Sequence, residues 1–593
     1  MKDKRHMYPM GIVGNCSYIG YIDTTANVRW LCLPRFDSSF IFGSLLDENE
    51  GGSFYIRPEE EHYTSSQHYI KNTNILVTEF HCGGGHFSVT DFAPRFYQQD
   101  RHFRPLMLVR KIRLISGNPQ IRVKCQPVGD YGRIKPEVVQ GSNHLRYLNL
   151  DSQVRLSTDI PLSYILEDKA FVLTDTQYLV FTYGEPLEES IILTAENFLD
   201  RTRLYWQNWV KTTAIPGIFQ EHIIRSALVL KLHQYEDSWG IIASGTTSLP
   251  EFDGGGRNWD YRYCWMRDTY YTLNGFSSIG HFEEVEKYFN FIYNIISSST
   301  DRIHPLYTVT GDRVNTVKVL ELDGYMNNKP VRIGNDAVFQ VQNDVYGQVL
   351  ITLLPLFIDK RLNFHDPGRI RTLAKWLLDR IEETLDLPDA GLWEFGKTQQ
   401  LHCYTLLFHW AGSKAAFKIG ELLEDELLMK TAKNLVRRAA VRIERCYDPN
   451  RKVYTQAVGS SDLDASQLQL ITMNYLDPAS RKARLHMQAM ESVLKTPDGL
   501  FFRYLTDDNG KPRTSFLICS FWYAEALACI GRIEDAWHLI NKLLSYSNHL
   551  GLYSEDADFA GGQWGNFPQT YSHVGFINAV YRISIKIDKP IFY

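Results

Sequence analysis

Between about residues 10 and 205, apolar side chains come in short runs rich in Val, Ile, Phe and Tyr, broken by glycine, proline and other turn formers. Ile75 to Phe80 and His86 to Phe92 flank Gly83-Gly84-Gly85. Glycine supplies the positive φ that a tight reversal needs, so this stretch predicts a hairpin. Gln120 to Val128, Phe171 to Thr174 and Tyr178 to Tyr183 extend the pattern. That many short strands predict an antiparallel β-sandwich.

Beyond residue 216 the period changes. Ile223, Ala227 and Leu230 recur at helical spacing, as do Leu373, Leu377 and Ile381, and the apolar positions between Leu427 and Ile443. Further helical stretches are expected near 335–354, 478–494, 515–530, 532–546 and 568–586, about a dozen helices with few strands. Such a half is a solenoid or a closed α/α toroid, and the lack of a fixed-period repeat disfavours the solenoid. Pro216-Gly217 separates the two regimes. The expected domains are therefore residues 1–213, a β-sandwich, and residues 214–593, a helical barrel.

Composition narrows the class of function. The 593 residues are 44% hydrophobic and 22% charged, as in an ordinary folded chain, and the net charge is −5 with no basic blocks. The footprint of a nucleic-acid or anionic-membrane partner is missing. Nine scattered cysteines form no C-x-x-C pair, which predicts reduced thiols in a cytoplasm and argues against a disulfide framework or a zinc site. Lys2, Lys4 and Arg5 are followed by no apolar run, so no signal peptide is expected. Val349 to Phe357, the longest strongly apolar run, is about half of a bilayer span.

No phosphate-binding loop, zincin motif or nucleophile elbow is present, and Gly254-Gly255-Gly256 lacks the dinucleotide fingerprint. What stands out is acid set among aromatics. Arg257 to Asp268 packs three arginines (Arg257, Arg262, Arg267), two aspartates (Asp260, Asp268) and the aromatics Trp259, Tyr261, Tyr263 and Trp265 into a stretch with neither strand nor helix periodicity. Buried charge must be paired, so this reads as the lining of a polar pocket or as an ion-pair network holding a loop. Glu394 stands between Trp393 and Phe395, in a turn expected to open a helix, where desolvation would favour a protonated acid. Glu555 stands in a third loop with Asp556 and Asp558 beside it, ahead of Tyr571 and Ser572. Two loop carboxylates far apart in sequence suit glycoside hydrolysis: one protonates the leaving oxygen, and the other attacks carbon or activates water.

The whole chain resembles glycoside hydrolase family 15, which comprises glucoamylases, glucodextranases and prokaryotic trehalases. Tyr8 to Asn15 and Trp30 to Asp37 resemble the family's N-terminal sandwich. Thr247 to Glu251, Arg257 to Asp268, Gly334-Asn335, Gly391 to Glu394, Phe516 to Trp522 and Gly565 to Gln569 then follow in the family's order. The resemblance implies a sandwich followed by an (α/α)6 barrel, an inverting mechanism, and no cofactor or metal. It implies Glu394 as general acid and Glu555 as general base. Arg267 and Asp268 would hold the terminal glucose, with Trp393, Trp259, Asp260, Tyr571 and Ser572 around it.

One departure concerns the leaving-group side. Where many bacterial members continue Trp-Glu with Arg-Gly and later His-Ser-Lys, this chain has Phe395-Gly396-Lys397 and Tyr404-Thr405-Leu406. The expected activity is removal of glucose from malto- or isomalto-oligosaccharides, with α,α-trehalose hydrolysis as the alternative and phosphorolysis third. The expected partner is an oligosaccharide or disaccharide, with no nucleic acid and no membrane, and a homo-oligomer is left open.

Overall fold

The computed structural model describes residues 5–587 apart from 188, 299–301, 363–365, 397 and 507–509. Its N-terminal part is antiparallel throughout. One sheet pairs Met10–Gly14, Ile19–Asp23, Val28–Cys32 and Phe40–Phe42 in order. A larger sheet runs Glu137–Gln140, His144–Leu148, Val154–Thr158, Gln177–Tyr183, Met107–Gly117, Gly85–Phe92, Leu76–Cys82, Tyr63–Tyr69. A third joins Phe171–Val172, Gln120–Gln126 and Ser53–Pro58. The expected hairpin forms across Gly83-Gly84, Cys82 pairing with Gly85, but the positive φ falls on Gly85, at +151°, and not on the two turn residues.

The three sheets share one apolar interior, where Phe42, Phe54 and Phe181, one from each, meet with ring centroids 5.3–6.1 Å apart. Arg110 is fully buried there. It donates to Asp91 at 2.7 Å and to the Phe54 and Ala26 carbonyls, so its charge is paired and its other N–H groups tie the sheets together.

The helical part closes into a ring. Among the described residues, Asp268–Ser278, Asp344–Leu353, Cys403–Leu422, the segment Ala465–Leu468 running into Gln469–Thr472, Leu517–Cys529 and Thr570–Ser584 each pack on the next, and the last packs on the first. A second helix backs each one: Phe282–Ser298, Pro367–Thr384, Glu426–Glu444, Arg481–Leu494, Ile533–Leu544 and Gln220–Leu232 respectively. This is an (α/α)6 barrel. The sequence sorts the two layers. Inner helices such as Leu517–Cys529 are buried on nearly every side, whereas outer ones such as Ile533–Leu544 bury only a stripe, Ala536, Leu539, Ile540 and Leu543.

One expected helix is interrupted. Within 335–354, Asn335 caps a short 3-10 turn, Asp336–Phe339, by accepting from the Ala337 N–H, and Gln340 then turns extended before the helix Asp344–Leu353 starts. That helix takes up the apolar run from Val349, and no helix among the described residues is long and apolar enough to cross a membrane. All nine cysteines are free.

The sandwich props the barrel's loops. Trp30 Nε1 donates to the Gly245 carbonyl at 2.8 Å, the Tyr8 hydroxyl to the Gly565 carbonyl at 2.9 Å, and Arg262 to the Ser38 carbonyl at 2.7 Å.

Candidate active site

The loops that precede the inner helices converge on a cavity of about 530 Å³, within the range of small-ligand sites. Arg267, Asp268, Trp259, Trp393, Glu394 and Tyr571 all line it. Of the segment that departs from the family pattern, Phe395 and Gly396 line it too, and Lys397 lies outside the described residues.

Glu394 owes its place to a strained turn. Its own φ is +60°, unusual for a residue with a side chain, and Gly391 adopts +66°. A Cβ on Gly391 would meet the His402 ring at 2.7 Å, so glycine is obligatory there. Asp389 fastens the turn: its carboxylate accepts from the Gly391 N–H at 3.1 Å, the Asn343 N–H at 2.8 Å and the Thr405 hydroxyl at 2.9 Å. Burial, reinforced by Asp344, pushes the Asp389 carboxyl up to about 7. The next helix begins only at Cys403, so Glu394 does not open a helix as its sequence context suggested.

Two donors converge on Glu394 Oε1, Trp265 Nε1 at 2.9 Å and Arg267 Nη1 at 3.2 Å. An oxygen that accepts two hydrogen bonds is a poor place for a proton, so any proton on Glu394 would sit on Oε2. Arg267 also reaches Gln342 Oε1 at 3.1 Å and stands 3.6 Å from Asp268. Burial pushes the Asp268 carboxyl up to about 6, opposed by Arg267 and reinforced by Glu394. Arg267 Nε, Asp268 Oδ1 and the Tyr571 hydroxyl are shielded from solvent yet make no hydrogen bond among the described residues. Buried polar atoms of this kind call for partners, and sugar hydroxyls are of the right type.

Glu555 lies just behind the lining, 2% exposed. Tyr261, in the wall, donates its hydroxyl to Oε1 at 2.7 Å, and the Asn566 N–H donates to Oε2 at 3.1 Å. Gly565 presses on it from behind, where a Cβ would come within 2.6 Å of the Glu555 Cβ. Glu251 and Asp556 bring carboxylate oxygens within 4.8 Å of Glu555 and of each other. Glu251 is paired by Arg503 at 2.9 Å and by Arg257 at 3.5 Å, and Thr514 donates to Asp556 at 3.0 Å. Burial first, then Asp556 and Glu251, hold the Glu555 carboxyl well above the usual carboxylate range.

Tyr261 and Trp265 meet edge to face with centroids 5.3 Å apart. The aromatic pair thus carries one carboxylate at each end and keeps the two from touching.

Two expected site residues stand elsewhere. Asp260 is fully buried and forms a bidentate pair with Arg262, at 2.9 and 2.7 Å, while accepting from the Gly334 N–H. The ion-pair network that so charged a loop could form is real: Asp260 is closed into it by two hydrogen bonds from Arg262, whereas Asp268 meets Arg267 only at 3.6 Å and still faces the cavity. Ser572 is equally buried, its hydroxyl donating to the Ser554 carbonyl at 2.8 Å and to Gln569, so it fastens the Glu555 loop rather than facing the cavity. Trp259 lies at the rim, with the Arg332 guanidinium 4.4 Å from its ring centre. Tyr261, Trp265, Glu251, Arg257, Arg503, Tyr504 and Gln340 also line the cavity, beyond the residues expected there. Tyr261 and Trp265 belong to the charge-dense stretch Arg257 to Asp268, but nothing in the sequence marks Arg503 or Tyr504.

An (α/α)6 barrel whose cavity gathers Glu394, several aromatic faces and polar atoms without partners, with Glu555 just behind its wall, suits a glycoside hydrolase. The chain belongs to glycosyl hydrolases family 15, whose model matches residues 217–581; a model of the trehalase-like N-terminal domain matches residues 3–162. It is 29% identical to a trehalase of Thermoplasma volcanium over 98% of this chain and 93% of that protein. It is 30% identical to a trehalase of Mycolicibacterium smegmatis over 97% of this chain and 90% of that protein. In fold it matches a bacterial glucoamylase solved with acarbose, at a TM-score of 0.71 and 14% identity over 99% of this chain and 96% of the other.

Proposed function

We propose that the chain hydrolyses α,α-trehalose to glucose with inversion at the attacked carbon. The observation that carries hydrolysis is the pair of carboxylates at the two ends of Tyr261 and Trp265. One ring of the substrate lies against Arg267, Asp268 and Tyr571, and the other toward Phe395, Arg503 and Tyr504. Glu394 protonates the bridging oxygen through Oε2. Glu555, hydrogen-bonded by Tyr261, takes a proton from water as that water attacks the anomeric carbon from the opposite face. The choice of trehalose over malto- or isomalto-oligosaccharides, which the sequence put first, rests on the near full-length likeness to trehalases.

Two measurements test this. Trehalose, maltose, isomaltose and dextran assayed side by side should show trehalose cleaved fastest; a higher rate on maltose would restore the glucoamylase-like reading. Proton NMR in the first minutes should show one β-glucose, from the attacked ring, and one α-glucose, the leaving group, per trehalose. Release of α-glucose alone would mean double displacement and would overturn the base role of Glu555.

A further inference from the structure

The outer face of the large sheet differs from end to end. Near the strand ends Phe92, Met107, Val109, Tyr178 and Val180 it is covered by the helix Ile191–Lys211. Toward the hairpin turn, the strands Leu76–Cys82 and Gly85–Phe92 leave it open and polar. Side chains alternate across a strand, so Glu79 and His81 share this face while Phe80 points into the core. The hairpin register sets His86 directly opposite His81. Two imidazoles and a carboxylate are thereby brought together by backbone geometry alone, on a rigid ladder whose turn is held by Glu60 accepting from the Gly83 and Gly84 N–H groups at 2.6 and 2.8 Å.

The three side chains are spaced as an open chelate. One ligand atom of each of Glu79, His81 and His86 lies within 4.8 Å of the other two. His86 Nε2 is 3.9 Å from Glu79 Oε2, and the two imidazoles stack 3.8 Å apart at 23°. His86 Nε2 is also shielded from solvent and makes no hydrogen bond among the described residues, an arrangement that an additional partner would relieve. A metal bonded at about 2.0–2.2 Å to two nitrogens and one oxygen needs those atoms roughly 1 Å closer together, within reach of small χ rotations at a half-exposed site.

We propose that Glu79, His81 and His86 bind one divalent transition-metal ion, Zn2+ above all, which clips the hairpin from strand to strand. Two imidazoles and one carboxylate are a borderline ligand set that suits Zn2+, Ni2+ and Cu2+ and disfavours Ca2+ and Mg2+, which prefer oxygen. Three protein ligands leave a fourth position for water. The site is separate from the proposed catalytic cavity. The other close carboxyl group, Glu251, Glu555 and Asp556, already has Arg257 and Arg503 as its cations.

The test uses the untagged full chain and Zn2+ alone. Calorimetry should show one site per chain, and saturating Zn2+ should raise the temperature of unfolding while leaving hydrolysis intact. Co2+ in place of Zn2+ should give the visible bands of a four-coordinate ion. His81→Ala and His86→Gln should each weaken binding at least about tenfold and remove the thermal shift, with Glu79→Gln weakening it less. All three side chains are on the outer face, and circular dichroism of each metal-free variant verifies that it folds. Failure of the unmodified chain to bind Zn2+ at about millimolar concentration, or binding that survives His86→Gln, would overturn the proposal. So would binding lost only when Glu251 is replaced, since that would place the ion in the catalytic cavity.

Discussion

Glu394 and Glu555 sit on equivalent loops, each ahead of an inner barrel helix, yet their surroundings are opposite in sign and in wetness. Glu394 keeps 27% of its side chain exposed and receives an arginine and an indole N–H. Glu555 is almost wholly buried among two other carboxylates and receives a phenol and one peptide N–H. Even the backbone differs: on the first loop the glutamate itself takes the left-handed conformation, whereas on the second Gly565 does, at φ +73°. A proton donor must meet the substrate oxygen and be reprotonated between turnovers, which needs access. A base gains strength when burial and like charge raise its proton affinity. The contrast supports the two different roles proposed for two identical side chains.

The largest effects should come from removing either carboxylate. Glu394→Gln and Glu555→Gln are each expected to lower kcat by about 10²–10⁴, with the fold retained because the shapes match. An activated substrate separates them. α-Glucosyl fluoride leaves without a proton, so it should restore much of the rate to Glu394→Gln and none to Glu555→Gln. Recovery of both variants, or of neither, would erase the distinction between the loops.

A middle-sized effect tests the hydroxyl partners that stand between them. Asp268→Asn should cut kcat/KM by about 10–100-fold, the worth of a charged hydrogen bond that orients the ring. Unchanged kinetics with a lowered unfolding temperature would make Arg267 and Asp268 a structural ion pair instead. Below that, Tyr261→Phe should cost about tenfold by freeing Glu555 from its hydroxyl. Because that hydrogen bond favours the carboxylate form, the acid limb of its pH profile should also move upward.

Much of this architecture was legible in residue order. Short β-rich runs before residue 205 and helical spacing after 216 gave the two halves, although the end of the first stretch, Ile191–Lys211, is a helix rather than strand, and the hairpin lies where its glycines placed it. The two carboxylates stood out because one lies between Trp393 and Phe395 and the other beside Asp556 and Asp558, each in a loop. What could not be read is which charged residue of a dense loop pairs inward. Asp260 and Asp268 lie eight positions apart in the same stretch, and only the fold decides that Arg262 takes the first while the second faces the cavity. Arg503 and Tyr504 arrive from a segment with no motif, brought in by closure of the barrel. The break at Gln340 likewise depends on tertiary contacts that outweigh a helical apolar pattern.

The smallest expected effect in rate bears most directly on why the base loop is acidic. Asp556 brings a carboxylate within 4.8 Å of Glu555, and after burial it is the largest cause of the raised Glu555 carboxyl. A general base works only when ionised, so the acid limb of kcat/KM reports the macroscopic titration of this cluster. Raised proton affinity means that the limb lies at higher pH than for a free carboxylate. Asp556→Asn keeps an oxygen for the Thr514 hydroxyl, which donates to Oδ1, but removes the like charge. The base should then ionise more readily, and the acid limb should move to lower pH. The rate at the optimum should fall only modestly, because the base becomes weaker as it becomes easier to ionise. The alkaline limb, which reports the proton donor on the other loop, should stay where it is. An acid limb that does not move, or moves upward, would mean that Asp556 carries no charge in the working enzyme, and the contrast between the loops would then rest on burial alone.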